Sequence, residues 1–522
     1  MVRRRDVLGG AALGIGGALL GACAPGPGAE PPEQSGVPFE GTGPFPSGIG
    51  SADPTPTSVL IWTRVHPERD PGAGIVVQYE VATSPAFAGT VVAQGTLLAT
   101  SSTDHCVQLD VTGLQPGRTH WYRFRYDGGL SPLGRTRTAP VGAVEHLRLA
   151  AFSCQRFTHG FYTAHTDLAA LAQDPDTDVD LVLCLGDYVY ETGYADGVVV
   201  PGRHDPLQLA TDLDGFRSKY RLYRSDPHLQ AVHAAYPVVH VFDNHDGRSD
   251  PADPQGPAAL AAFFEHLPVR TRLPGRIDRS LRWGDLAEVF LTDQRSFRDP
   301  GLRESGPLGT STEERPEILD PSRTMLGEQQ RRWLIDGLVG SDAQWKVIGS
   351  QLMFWPWRSL GRLPWQPRGA GIYLNLTQWD GYAAERLALL DALEANDVRD
   401  TLLYSGDSHV FSAAQVAPDV DDPASVPRVV ELGTGSITSN NADESNYPTS
   451  DITRPHLLNV NPNHLRYFDS ERHGYVVSDL TPDETVTQVR SPRTIRRPTS
   501  TVDVLATLRV PAGTQRVEVV PS

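Results

Sequence analysis

Positive charge is what this sequence has least of. Against 63 aspartates and glutamates stand 46 lysines and arginines, for a formal charge of −17 and a pI near 5.4. A nucleic-acid-binding surface is excluded, because phosphodiester backbones are held by basic faces. Capture of an anionic molecule by net charge is excluded as well, so any anion handled here must meet metal ions or a few arginines. Cysteine is scarcer still: Cys23, Cys106, Cys154 and Cys184 are the full set, too few for a disulfide framework in 522 residues. Internal repeats and long low-complexity segments are missing, which excludes solenoids and arrays. The apolar stretch near the N-terminus, Val7–Ala22, is too short and too glycine-rich for a membrane span. What remains is a chain 39% hydrophobic, enough to bury large cores in two or three domains.

Residues 1–23, MVRRRDVLGGAALGIGGALLGAC, carry Arg3, Arg4 and Arg5 ahead of that apolar stretch and read as an export signal. Arg4-Arg5-Asp6-Val7-Leu8 resembles the twin-arginine pattern, which implies the twin-arginine export machinery as a partner. Leu20-Gly21-Ala22-Cys23 resembles a lipoprotein cleavage box, which would make Cys23 a lipidated first residue and anchor the protein to a membrane; an ordinary signal peptide cut elsewhere is the alternative. The expected location is the cell surface, periplasm or exterior. Residues 24–36 form a Pro/Gly tether with nothing to pack. Cys106 and Cys184 read as small buried hydrophobes.

Residues 37–140 hold short strand-like runs divided by turns: SVLIWTRV, GIVVQYEVATS, CVQLDV and THWYRFRY, the last in strict alternation. Their spacing predicts an all-β sandwich, and GLQPG before an aromatic strand resembles fibronectin-type domains. From 145 to 522 the texture changes to α/β. Six aliphatic runs predict strands: LRLAAF (147–152), LVLCLG (181–186), PVVHVF (237–242), AEVFL (287–291), WKVIG (345–349) and TLLYSG (401–406). MLGEQQRRWLIDGLV and AAERLALLDALEAN have helical spacing, and 438–451 is a polar loop.

Each run ends in polar chemistry. In order these ends are Ser153-Cys154-Gln155, Asp187 with Tyr190, Asp243-Asn244-His245-Asp246, Thr292-Asp293-Gln294-Arg295, Ser350-Gln351, and Asp407-Ser408-His409. Ligands of open α/β sheets sit at the carboxyl ends of strands. Singly, each residue has an ordinary role. An Asp after Gly forms turns, Asn244 can cap a helix, Tyr190 can pack, and Cys154 or His409 can be a satisfied core residue. Six ends agreeing points to a site. Asp187, Asn244 and Asp407 supply hard oxygens of the kind calcium, magnesium and manganese take, whereas Cys154, Tyr190 and His409 form a softer set suited to a transition metal. Two such cations side by side suit hydrolysis of a phosphate ester.

These residues resemble the PhoD-type alkaline phosphatases, a group of metallophosphoesterases. The resemblance is carried by Ser153-Cys154-Gln155, Gly186-Asp187-Tyr188-Val189-Tyr190-Glu191, Asp243-Asn244-His245-Asp246, Asp293-Gln294-Arg295 and Ser405-Gly406-Asp407-Ser408-His409. FPSGIGSADPTPTSVLIWTRV, QWDGYAAER (378–386) and NPNHLRYFDSERHGYVV (461–477) extend it over nearly all of the mature chain. It implies a four-layer α/β/β/α phosphoesterase domain behind an immunoglobulin-like β-domain, and Fe(3+) with Ca(2+) as metals. Cys154, Asp187, Tyr190 and His409 would hold iron, and Asp187, Asn244 and Asp407 calcium. Members usually read Asp-Asp-His-Glu where this chain has Asp243-Asn244-His245-Asp246. The amide removes one negative charge from the second cation, which admits Mn(2+) or Zn(2+) there.

The expected activity is hydrolysis of phosphate esters by a metal-activated hydroxide. His245 is the candidate acid for the leaving group, and Arg295 either stabilises developing charge or serves as a structural salt-bridge partner. The alternatives are a phospholipase D-like phosphodiesterase acting on lipid head groups and a non-catalytic surface binding protein.

Overall fold

The computed structural model describes residues 43–520 apart from 67–71, 73, 194–198, 272, 274, 307, 308 and 446–449. The expected signal, the tether and Cys23 lie outside the described residues. None of the described helices is long and apolar enough to cross a membrane.

The N-terminal region is all β. Ile49–Ala52, Ser58–Arg64 and Cys106–Thr112 form a three-stranded antiparallel sheet. Val91–Ala99, Ile75–Ala82, Thr119–Tyr126 and Gly129–Leu130 form a second, with Gly134–Arg137 also paired to Thr119–Tyr126. The period of two sends His120, Tyr122 and Phe124 inward, and Tyr122 and Phe124 meet Val59, Ile61, Val77 and Val81 in a shared core. Val91–Ala99 has no counterpart among the strands expected from sequence. Its side chains are almost all half-exposed or exposed, so no apolar alternation marks it.

The six aliphatic runs all become strands, and the structure sorts them three and three. Leu147–Phe152, Leu181–Cys184 and Val238–His240 lie parallel at one end of a seven-stranded sheet, continued antiparallel by Tyr475–Leu480, Glu484–Pro492, Val502–Pro511 and Glu518–Val520. Ala287–Leu291, Trp345–Ser350 and Thr401–Ser405 lie parallel in a second seven-stranded sheet, with Val429–Thr434 extending the parallel run. Three of the expected strands stop early, at Cys184, His240 and Ser405, because the residues that follow turn toward the site. The expected helices form over Gly327–Gly340 and Ala383–Ala395. The polar loop closes at 450, where a helix over Ser450–Val460 begins.

Alternation divides the second sheet between two cores. Val289, Val347 and Leu402 face the core shared with Leu149, Ala151 and Leu183 of the first sheet. Their neighbours Phe290, Ile348 and Leu403 face Leu334, Leu338, Leu389 and Leu390 of the two helices. A strand buried on both faces reads as a continuous aliphatic run, which is why these six stood out. Each such side chain contributes about 1.5–3 kcal/mol on burial. The β region is tied to the α/β region by a buried Asp53–Arg279 pair, Nη2 to Oδ1 at 2.9 Å, and by Trp62 Nε1 donating to Glu265 O at 2.7 Å. Cys106, Cys154 and Cys184 are all free and buried.

Candidate metal centre

The turns after the strands are unusual in their backbone. Cys154, Asp187, Asp407 and His409 all have positive φ, between 52° and 58°. Asp and His tolerate the left-handed region; for Cys it is a strained choice. Such conformations cost on the order of 1–3 kcal/mol each and persist where surroundings over-determine them, commonly at functional sites. Here Cys154 N donates to Gly186 O at 3.2 Å and Gln155 N to Asp187 O at 3.2 Å, locking two turns together. The glycines before the two aspartates are sterically required. A Cβ on Gly186 would lie 2.4 Å from Asp243 Cβ, and one on Gly406 would lie 2.8 Å from Ser153 Cβ.

Those turns gather Cys154, Asp187 and His409, whose donor atoms lie within 4.8 Å of one another. The Tyr190 hydroxyl is 3.0 Å from Asp187 Oδ2 and 2.5 Å from Ser439 Oγ. His409 Nδ1 donates to Asn440 O at 2.7 Å, so its Nε2 keeps a lone pair. Burial and the Asp187 and Asp407 carboxylates push the Cys154 thiol up. Burial, Asp187 and Cys154 do the same to the Tyr190 phenol. Both groups are therefore neutral until a cation draws off their protons.

The opposite flank is built on Arg295. Its Nε donates to Asp243 Oδ1, and its Nη2 donates to Asn244 Oδ1 and Asp407 Oδ1, each at 2.9 Å. Gln378 Nε2 donates to the second Asp407 oxygen. Asp243 Oδ2 is buried and, among the described residues, accepts from no donor. Burial opposes the charge on Asp407, but Arg295 and neighbouring hydrogen-bond donors hold its carboxyl below the usual range. His245 joins the flanks: its backbone N donates to Asp187 Oδ1 at 3.0 Å and its ring stacks on Tyr190 at 4.2 Å. Its Nδ1 lies 2.8 Å from Glu191 Oε2. Burial works against charge on His245, yet Glu191 and Asp187 outweigh it and raise it to about 9.

The structure thus brings Cys154, Asp187, Tyr190, Asn244, His245, Arg295, Asp407 and His409 into one cluster. Not every strand end joins it. Ser350 and Gln351 bond instead to Gln294 and Thr292, sewing two strand ends together, and Asp246 accepts from the backbone of Val189 and Asp243. Sequence reasoning gave no role to Ser439, Gln378 or Glu191. Glu191 and Gln378 stood inside quoted segments, Gln378 as the first residue of QWDGYAAER, whereas Ser439 lies in the polar loop without a local signal. The donor set suits bound cations: thiol, phenol, imidazole and carboxylates converge, and one buried carboxylate oxygen accepts from no donor among the described residues.

Two mixed sheets whose strand ends gather such donors define an α/β protein with a group of residues that could hold a metal ion. The PhoD-like phosphatase model matches residues 149–489, and the model of the PhoD-like phosphatase N-terminal domain matches residues 33–140. Alkaline phosphatase D of Bacillus subtilis (strain 168) is 32% identical over 471 residues, covering 84% of this chain and 76% of that protein. A solved structure of PhoD aligns with a TM-score of 0.80 at 30% identity, covering 93% of this chain and 94% of the other. The chain belongs to the PhoD-like phosphatase family. It is a hydrolase acting on phosphoric ester bonds.

Proposed function

We propose that hydrolysis takes place at the strand-end cluster, with Cys154, Asp187, Tyr190 and His409 holding ferric iron and Asp187, Asn244 and Asp407 holding calcium. Manganese or zinc is the alternative for the second position. The observation that carries this reading is the convergence of Cys154, Asp187 and His409 within 4.8 Å on left-handed turns. Cations bound there would supply Lewis acidity toward phosphoryl oxygens and a nucleophile near neutral pH. His245, with Nδ1 engaged by Glu191, presents Nε2 and protonates the leaving alkoxide. Arg295 keeps Asp243 and Asp407 from repelling each other and sets fixed positive charge beside the phosphoryl group.

The same reading makes residues 24–36 a tether, 37–140 an immunoglobulin-like domain and 145–522 a four-layer α/β/β/α sandwich. In its support, helices over Thr163–Ala170, Leu213–Arg224, Pro227–Ala235 and Gly256–His266 share a core with the first sheet, and two others pack on the outer face of the second. An experimental structure with helices on only one sheet would overturn it. The site assignment is tested by Asp187→Ala, which should lower kcat roughly 1,000-fold or more and release bound metal while leaving the far-ultraviolet circular dichroism unchanged. Wild-type turnover in that variant would refute the assignment.

A further inference from the structure

Arg298 is 6% exposed, and among the described residues it forms no ion pair. Its Nη1 donates to Thr377 O at 3.1 Å and its Nη2 to Ser249 O at 2.6 Å. Its Nε is sealed from solvent without a partner. Two of five guanidinium donors are therefore in use. Most of the other buried arginines differ. Arg64, Arg203, Arg279, Arg358 and Arg386 each face a carboxylate, and Arg224 lies over the Trp62 ring with oxygen acceptors at all three of its nitrogens. A buried cation without a counter-ion is costly, and in a protein of net charge −17 carboxylates are abundant.

The place of Arg298 explains what it waits for. Ser249 follows the Asn244–Asp246 turn, and Thr377 precedes Gln378, which donates to Asp407. Burial and the Arg295 guanidinium pull Arg298 down to about 10, while Asp243 and Asp407 act on it in the opposite sense. Arg295 is already neutralised by those two carboxylates. Arg248, directly after the same turn, is a second arginine with no ion pair among the described residues and a buried, unpartnered Nε. Two guanidinium groups without an ion pair among the described residues thus sit on the loops that carry the second half of the cluster, Arg248 within electrostatic reach of the buried Asp293.

We propose that Arg298 is a specificity-determining residue of the phosphoesterase site, and that the remaining protons of its Nη1 and Nη2 receive the anionic oxygens of the substrate phosphoryl group and of the orthophosphate product. The counter-charge missing from the protein arrives with the ligand. Guanidinium is the side chain suited to such oxygens, since its fork matches their spacing. The inference rests on the strand-end cluster being the reaction centre. Failure of that reading shows as an active Asp187→Ala enzyme, a result independent of anything Arg298 does.

The test uses the metal-loaded full chain with p-nitrophenyl phosphate as substrate and orthophosphate as competitive inhibitor. Arg298→Gln should raise KM and the phosphate inhibition constant together by roughly 30-fold, a larger change than the fall in kcat. Unchanged KM and inhibition constant would overturn the proposal. A purely structural clamp between Thr377 and Ser249 predicts something else, namely a lowered Tm with kcat reduced and phosphate inhibition intact. Arg298→Lys keeps the charge and loses the fork, so it decides the matter if the Gln variant does not fold. Phosphate inhibition weakened by roughly 5-fold or more, with kcat close to wild type, supports the proposal. Phosphate inhibition equal to that of the wild type at a lowered Tm, the result a clamp predicts, overturns it.

Discussion

The two flanks of the cluster hold similar carboxylates but balance their charge in opposite ways. Beside Cys154, Tyr190 and His409, Asp187 has no guanidinium partner among the described residues; its contacts are the Tyr190 hydroxyl and the His245 amide. Across the site, Asp407 and Asp243 share Arg295. Burying an unpaired carboxylate is expensive. On the proposed reading, a cation from solution would balance the first flank and draw off the protons of a raised thiol and a raised phenol. The second flank carries a cation of its own. On that reading, one half of the centre would be assembled by metal, and the other is preassembled by an arginine.

The largest effect expected from breaking that contrast comes from Arg295→Met. Removing the shared guanidinium leaves Asp243 and Asp407 buried and facing each other, at a cost of about 3–5 kcal/mol. The variant should melt well below wild type, and millimolar calcium should recover more of its Tm than of the wild type's, because the ion replaces the missing charge. Calorimetry with and without calcium checks this. An unchanged Tm, or an equal calcium response in both proteins, would show that Arg295 is not what balances the second flank.

How far the sequence shows all this depends on the range of the interaction. LRLAAF and AEVFL coincide with strands to the residue, because burial on both faces writes itself into a local aliphatic run. Gly186-Asp187 and Gly406-Asp407 were legible for the same reason: a glycine forced by close approach sits next to its carboxylate. The split of six strands into two sheets was not, since pairing is settled by contacts between segments dozens of residues apart, which no local run records. Val91–Ala99 left no trace because its side chains are mostly outside the core. Ser439 and the company kept by Gln378 and Arg295 were equally invisible; Arg295 reaches Asp407 across 112 positions. Strand-end chemistry reads locally, but the partners that orient it do not.

A smaller effect is expected on the first flank. Tyr190→Phe keeps the ring stacked on His245 and removes only the hydroxyl that lies 3.0 Å from Asp187. If that oxygen joins ferric iron, the purified wild-type protein absorbs in the visible range and the variant loses or shifts that band, with kcat down roughly 10-fold. The Cys154 thiolate can contribute a second band, so absorbance must be read on single substitutions. A colourless, iron-free and fully active wild-type protein would remove iron from the first flank and make the two halves alike in using hard cations.

The mildest change, Glu191→Gln, tests the residue that links the flanks. His245 is raised from 6.5 to about 9; burial opposes that rise, and Glu191 is the leading group that drives it. The glutamine retains an acceptor for the Nδ1 proton and deletes the charge, so His245 should fall back by roughly 1–2 pH units. A proton donor works only while protonated, so the alkaline limb of kcat/KM should sit near 9 in the wild type and move to lower pH in the variant. Stability carries the same sign. A raised basic group stabilises fully below its unfolded value of 6.5 and loses that contribution as pH climbs through 9. The variant should therefore be less stable than wild type in acid and converge with it above 9. An alkaline limb that stays in place would mean that His245 is not the proton donor, and that the link between the flanks is its backbone amide on Asp187 alone.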